Sequence, residues 1–127
     1  VTEMVMVLED RMVQEIARIG RRRAPAEACG LLLPHPVNGK QIIELPNRAI
    51  DGEHEFTMWG EDIALIVEDL QEHQEIKPQF LRETAIWHTH PRGNLGPSRF
   101  DMEHKPPEFQ SLVVTLFEDG TAKGTWF

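Results

Sequence analysis

His88 and His90 stand one residue apart in Ile86-Trp87-His88-Thr89-His90-Pro91, and Ser98-Arg99-Phe100-Asp101 follows across the loop from Arg92 to Pro97. The approach Thr84-Ala85-Ile86-Trp87 is made of β-formers and Pro91 ends it, so the pattern predicts a strand over Glu83 to His90. Side chains alternate along a strand. The two imidazoles therefore project to one side, roughly 6 to 7 Å apart along the chain, and Thr89 to the other. Two imidazoles so placed can share one ion, but a strand cannot supply a third corner of a tetrahedron. Asp101 lies just beyond a loop short enough to fold it back. Neutral imidazole and carboxylate are standard zinc ligands, and two His with one Asp leave a fourth position for water. An open site of that kind is a catalytic one.

The spacing H-x-H-x7-S-x-x-D resembles the signature of the JAMM (MPN+, JAB-domain) zinc metalloprotease family. An upstream Glu completes that family's set, and Ala26-Glu27-Ala28-Cys29-Gly30-Leu31-Leu32-Leu33 looks like the strand that bears it. Asn47-Arg48-Ala49 and His54-Glu55-Phe56 also look like the family's pattern between the two segments. The resemblance runs from about residue 22 to Asp101 and implies a short prokaryotic or phage-type member. It further implies a zinc-dependent peptidase or isopeptidase in which His88, His90 and Asp101 bind Zn2+ and Glu27 is general base and acid. The substrate it implies is a ubiquitin-like or sulfur-carrier conjugate or a phage tail-assembly protein. Two departures stand out: Leu33-Pro34 follows the Glu strand where the family often has Gly, and the segment after Asp101 is abbreviated.

Hydrolysis of an amide at neutral pH needs a strong nucleophile beside a polarised carbonyl. Zinc supplies both, lowering the pKa of bound water from 15.7 to about 7. Glu27 fits the base if its strand neighbours that of the histidines, and Ser98 can donate to the oxyanion, a contribution of order 3 kcal/mol when preorganised. Plainer readings exist for each residue. An isolated H-x-H can be a polar strand face, and Ser98 to Asp101 matches a helix capping box. Their coincidence favours a metal site, as does a carboxylate set in the apolar run around Glu27, where burial is costly. His104 could replace Asp101 as third ligand, because it lies three residues on. Cys29 shares a strand face with Glu27 and so could approach the metal or serve a Cys-His hydrolase, although a small buried hydrophobe is its ordinary role. His35, His54 and His73 have no companions at ligand spacing and read as solvated. Trp59, Trp87 and Trp126 read as core or sheet-face residues. The rival classes are a catalytically silent MPN interaction scaffold and a closed structural metal site.

With 127 residues, 40 % hydrophobic and 27 % charged, the chain fits one globular domain over 1–127. The net charge of -8 and pI near 5.2 argue against a nucleic-acid partner. Arg21-Arg22-Arg23 closes a helical pattern, where cations meet the carbonyl end of the helix dipole. No apolar run approaches the roughly 20 residues that span a bilayer, and no signal-peptide pattern opens the chain. A cytoplasmic protein without a membrane partner is expected, its partner being a protein or peptide substrate. A single cysteine excludes an intrachain disulfide, a Cys-rich zinc knuckle and the zinc-deaminase pattern.

The elements that must position these residues follow from periodicity. Val5 to Leu8 predicts a short strand. Met12, Val13, Ile16, Ala17 and Ile19 then recur at helical spacing, up to Gly20 and the Arg run. Glu27 to Leu33 predicts a strand, Pro34-His35-Pro36 a loop, Asn38-Gly39 a hairpin turn, and Gln41 to Leu45 the returning strand. Asp51-Gly52 predicts a turn and His54 to Trp59 a strand. A second helix is expected over Glu61 to Ile76, with Ile63, Ala64, Val67 and Leu70 on its apolar face and Lys77-Pro78 as its stop. Ser98 to Glu103 predicts a short helical turn, and Ser111 to Phe117 with Thr121 to Phe127 a hairpin. The sum is a mixed α/β domain. Similarity to the MPN fold implies a curved, partly closed sheet flanked by two main helices.

Overall fold

A computed structural model describes residues 2–35, 39–73, 83–107 and 109–127. Helix α1 spans Thr2–Arg23, β1 Cys29–His35, β2 Gly39–Leu45, α2 Gly60–His73, β3 Ala85–His90, α3 Arg99–His104, β4 Gln110–Leu116 and β5 Ala122–Trp126. The strands form one mixed sheet in the order β2-β1-β3-β4-β5. Only β3 and β4 pair in parallel. The sheet is open, with β2 and β5 as its edges, so the mixed α/β class is as expected while closure is not observed among the described residues.

Strand alternation sorts the core into two layers. Leu32, Ala85, Trp87, Leu112 and Val114 face α1, which presents Ile16, Ala17 and Ile19. Leu31, Leu33, Leu45 and Ile86 face the other way and pack with Leu70, Ile63 and Ile66 of α2. A buried sheet between two amphipathic helices follows from these periods of 2 and 3.6. Ile66 takes the place expected for Ala64, which is exposed.

Two predicted strands are absent. Residues 5–8 belong to α1, because a short apolar run continuous with a helical pattern carries no period of its own. Residues 54–59 form the end of a turn and an irregular segment. The reason is local: Asn47 replaces a neighbouring strand, its Nδ2 donating to the Glu55 carbonyl at 3.0 Å and its Oδ1 accepting from Thr57 N at 3.1 Å. Gly20 does not end α1. A Cβ there would lie 2.7 Å from Thr89 Cγ2, so its bareness lets the helix approach the centre of the sheet.

Pro34 and His35 extend β1 rather than forming a loop, and His35 pairs with Gly39 of β2. Asn38 of the predicted turn lies outside the described residues, as do residues 74–76 of the predicted helix and its expected stop at Lys77-Pro78. The β4–β5 hairpin is as expected. No helix among the described residues is long and apolar enough to cross a membrane.

The parallel pairing of β3 with β4 sets up the site. A parallel partner requires the chain to travel back the length of the strand, unlike a hairpin. That crossover carries α3 past the end of β3, and with it Asp101.

Gly30 is the tightest point of the frame. A Cβ at Gly30 would fall 1.9 Å from the Ile43 carbonyl oxygen and 2.8 Å from the Trp87 ring. Gly30→Ala is therefore expected to destabilise the fold by on the order of 3 kcal/mol, read as a lower midpoint of urea unfolding. An unchanged midpoint would contradict the described contact of β1 with β2 and Trp87.

Candidate metal centre

Three side chains converge where β3 ends. His88 Nε2 and His90 Nε2 lie 3.3 Å apart, and Asp101 Oδ2 lies 3.0 Å from the first and 3.1 Å from the second. All three residues are buried. Each has a distinct local cause. The imidazoles share a face because Thr89 between them points towards α1. Asp101 is at the third position of α3, whose N-cap is Ser98: Asp101 N donates to Ser98 Oγ at 3.0 Å, and Ser98 N donates to Asp101 Oδ2 at 2.9 Å. The capping box and the histidine contact are thus one arrangement, in which the cap holds the carboxylate that the imidazoles meet.

Glu27 reaches the same place from β1. The antiparallel register sets Cys29 opposite His88. Beyond that pair, Ala28 and Thr89 exchange bonds: Thr89 N donates to the Ala28 carbonyl at 3.0 Å, and Ala28 N donates to Thr89 Oγ1 at 2.9 Å. Glu27 lies on the lead-in before β1, within the predicted segment. Glu27, His88 and His90 each offer a ligand atom within 4.8 Å of the others, so this buried trio could hold a metal ion. Glu27 Oε1 is buried with no hydrogen-bond partner among the described residues.

Electrostatics follow from burial and contact. Burial pushes the Glu27 carboxyl up to about 7, with His90 opposing and Asp101, Glu55 and Asp51 reinforcing the shift. Burial alone would raise the Asp101 carboxyl too, but hydrogen bonds to His88 and His90 outweigh it and hold the group ionised well below the usual range. Burial lowers His88. For His90 burial acts in the same direction, and the bonds to Asp101 and Asn94 reverse it.

The tautomer of His90 bears on metal binding. Its Nδ1 lies 3.0 Å from the Asn94 carbonyl, which can only accept, so Nδ1 carries the proton. In the neutral ring, Nε2 then presents a lone pair to the Asp101 carboxylate and to His88. Lone pairs and an anion facing one another repel unless a cation sits among them, either the proton that lets Nε2 donate to Asp101 or a metal ion in its place. The same Asn94 carbonyl accepts from Thr115 Oγ1 at 2.9 Å, which ties the loop to β4. His88 has no such second bond among the described residues, its Nδ1 being buried and unpartnered there, and its ring stacks on Phe56 at 4.4 Å.

Among the residues singled out in the sequence, Glu27, His88, His90 and Asp101 come together, with Ser98 beside them. His104 does not join them: its Nδ1 pairs with the Phe100 carbonyl at 2.9 Å and its ring stacks on Phe100 in the open. Cys29 also stays out of the trio, its Sγ directed at the Leu45 carbonyl at 3.7 Å. His54 is not simply solvated. It bonds Asp51 at 2.8 Å and Arg92 at 2.9 Å, on a cleft that Glu27, His90 and Ser98 also line. The side chains of His35 and His73 lie outside the described residues. Trp87 is a core residue, whereas Trp59 is half-exposed beneath the Arg48 guanidinium.

Asn47 was not assigned a role from the sequence. It donates to the Glu27 carbonyl at 2.9 Å as well as to Glu55, so it fixes the main chain that carries the candidate base. Its signals in the sequence are its place between a strand and a turn and the likeness of Asn47-Arg48-Ala49 to the family pattern.

Burial raises the Cys29 thiol to about 12, with Glu44 and Glu27 adding to the shift, so the thiolate is scarce at neutral pH. Ellman's reagent at pH 8 is expected to react at least about a hundredfold more slowly with the native chain than with the chain in urea. Rapid native reaction would return Cys29 to the nucleophile candidates.

Comparison with known proteins bears on the fold and the family. A solved structure similar to this chain is the solution structure of protein DSY2949 from Desulfitobacterium hafniense, with a TM-score of 0.67 and 23 % identity. The match covers 90 % of this chain and 77 % of that one, and at that identity it speaks for the fold. No curated protein matches the chain. The family described as prokaryotic homologs of the JAB domain matches residues 9–124, nearly the whole length, and the chain belongs to that family.

Proposed function

We propose that this chain is a zinc-dependent peptidase or isopeptidase that hydrolyses an amide bond in a protein or peptide substrate. The observation that carries the reading is the triangle of His88 Nε2, His90 Nε2 and Asp101 Oδ2, with sides of 3.0 to 3.3 Å. A tetrahedral zinc ion with bonds of about 2.0–2.1 Å separates its ligands by about 3.3–3.4 Å. The three atoms thus stand close to one face of such a tetrahedron, with the fourth corner left for water or substrate. Membership of the JAB-domain family, which includes hydrolases, supports the same reading.

His88, His90 and Asp101 would hold the ion, and the His90 bond to Asn94 fixes the tautomer that ligation needs. When bound, zinc acidifies water and polarises a substrate carbonyl. Glu27 acts on the proton. A carboxyl raised to about 7 is matched to taking a proton from the attacking water and returning it to the departing amine nitrogen. The water oxygen adds to the carbonyl carbon, charge gathers on the carbonyl oxygen, and the C–N bond then breaks as Glu27 returns the proton to the departing nitrogen. Ser98 Oγ accepts from Asp101 N, which leaves its own hydrogen free to donate to the developing oxyanion. Its place on the cleft shared by Glu27 and His90 suits that role. Ubiquitin-like or sulfur-carrier conjugates and phage tail-assembly proteins are the substrate classes that the motif resemblance implies.

Protein purified without chelator is expected to carry about one zinc per chain, lost on His88→Ala and kept on Glu27→Gln. Against a panel of linear and isopeptide-linked ubiquitin-like fusions, Glu27→Gln should lower hydrolysis by about 10²–10⁴-fold. Equal activity of Glu27→Gln and the parent would overturn the mechanism, and zinc binding without cleavage of any fusion would favour the silent scaffold. Ser98→Ala should keep the metal and lower kcat about a hundredfold, with KM little changed. A change confined to KM would remove Ser98 from the reacting centre.

A further inference from the structure

The residues of the metal centre separate two cavities of opposite character. The cleft lined by Glu27, His90 and Ser98 also carries Arg92, Glu53 and His54, and encloses about 180 Å³. On the side of Asp101 and Phe56 lies a pocket of about 350 Å³, walled by Met58, Ile63, Ile86, Phe109 and Phe127. The second pocket is continuous with the centre. Asp101 is part of its wall, Phe56 stacks on His88 at 4.4 Å, and Phe127 meets the same ring edge-on at 6.1 Å.

We propose that this apolar pocket receives a large apolar side chain of the substrate, next to the amide bond cut at the metal centre. The inference rests on the hydrolase reading and adds a preference to it. Its size is at the lower end of small-molecule pockets, so it suits a side chain rather than a folded surface. Asp101 is the only carboxylate of its lining among the described residues, and that group is engaged by His88, His90 and Ser98 N. Lys105, also of the lining, is placed over the Phe127 ring at 5.9 Å. The walls therefore offer contact chiefly to a hydrocarbon, the remaining polar side chains of the lining being the exposed Thr57 and His104. A peptide whose carbonyl lies at the metal centre has its adjacent side chain within reach of the shared wall. Transfer of a Phe or Leu side chain from water predicts a preference on the order of tenfold to a hundredfold over Asp at that position.

The test is binding, read apart from turnover. Zinc-loaded Glu27→Gln protein is titrated by nuclear magnetic resonance with acetyl-Gly-Gly-Phe-Gly-Gly-amide and with the same peptide bearing Asp for Phe. The expected result is at least about tenfold tighter binding of the Phe peptide, with shifts concentrated at Met58, Ile63 and Phe109. Ile63→Trp, which fills the pocket, should abolish the preference. If that variant loses its helical circular dichroism, Thr57→Trp at the exposed rim serves in its place. Binding within twofold for the two peptides, shifts on the α1 face instead, or a preference that survives filling would each overturn the proposal. Selective binding with no hydrolysis of any fusion would keep the pocket and remove the hydrolase, whereas hydrolysis without selectivity would do the reverse.

Discussion

The pairing of β1 with β3 is the constraint on which the candidate site depends. Glu27 meets His90 because Cys29 stands opposite His88, and a slip of one residue would turn the carboxylate to the α1 side. The register is held from the far face. Thr89 bonds Ala28 through both its main chain and its hydroxyl, and its methyl fills the space that Gly20 leaves in α1. A residue that points to the other face of the sheet therefore sets the separation of Glu27 from the two histidines.

The second requirement is a tolerable environment for buried charge. One carboxylate oxygen of Asp101 takes bonds from Ser98 N and both imidazoles, so burial is offset and the group stays ionised. Glu27 Oε1 finds no hydrogen-bond partner among the described residues, and burial shifts its carboxyl upward instead. Two carboxylates in one small volume are thereby driven apart in proton affinity, which is how a site obtains one permanent anion and one group able to exchange protons.

Much of this was legible in the sequence because it rests on short-range rules. The strand period places His88 and His90 together, and Ser98 to Asp101 reads as a capping box whether or not a metal is involved. The position of Glu27 was legible through the motif rather than through periodicity, since nothing local says which strand neighbours which. Asn47, the Asn94 carbonyl and Phe56 were not assigned, because their roles are contacts between side chains and distant main chain or rings. The misread segments have related causes. Residues 54–59 have the composition of a strand, but Asn47 satisfies their polar groups without a ladder. At residues 5–8, the continuity of a long helix outweighs β-branched content.

The carbonyl of Asn94 anchors the loop between His90 and Asp101 at two points at once, to His90 itself and to Thr115 on β4. Length is consequently constrained unequally along the crossover. Insertions between His90 and Ser98 would pull on the His90 ring, while the described residues from Lys105 to β4 make no hydrogen bond to the imidazoles. A lineage built on this frame has freedom to remodel the latter segment while the two histidines and Asp101 stay where they are.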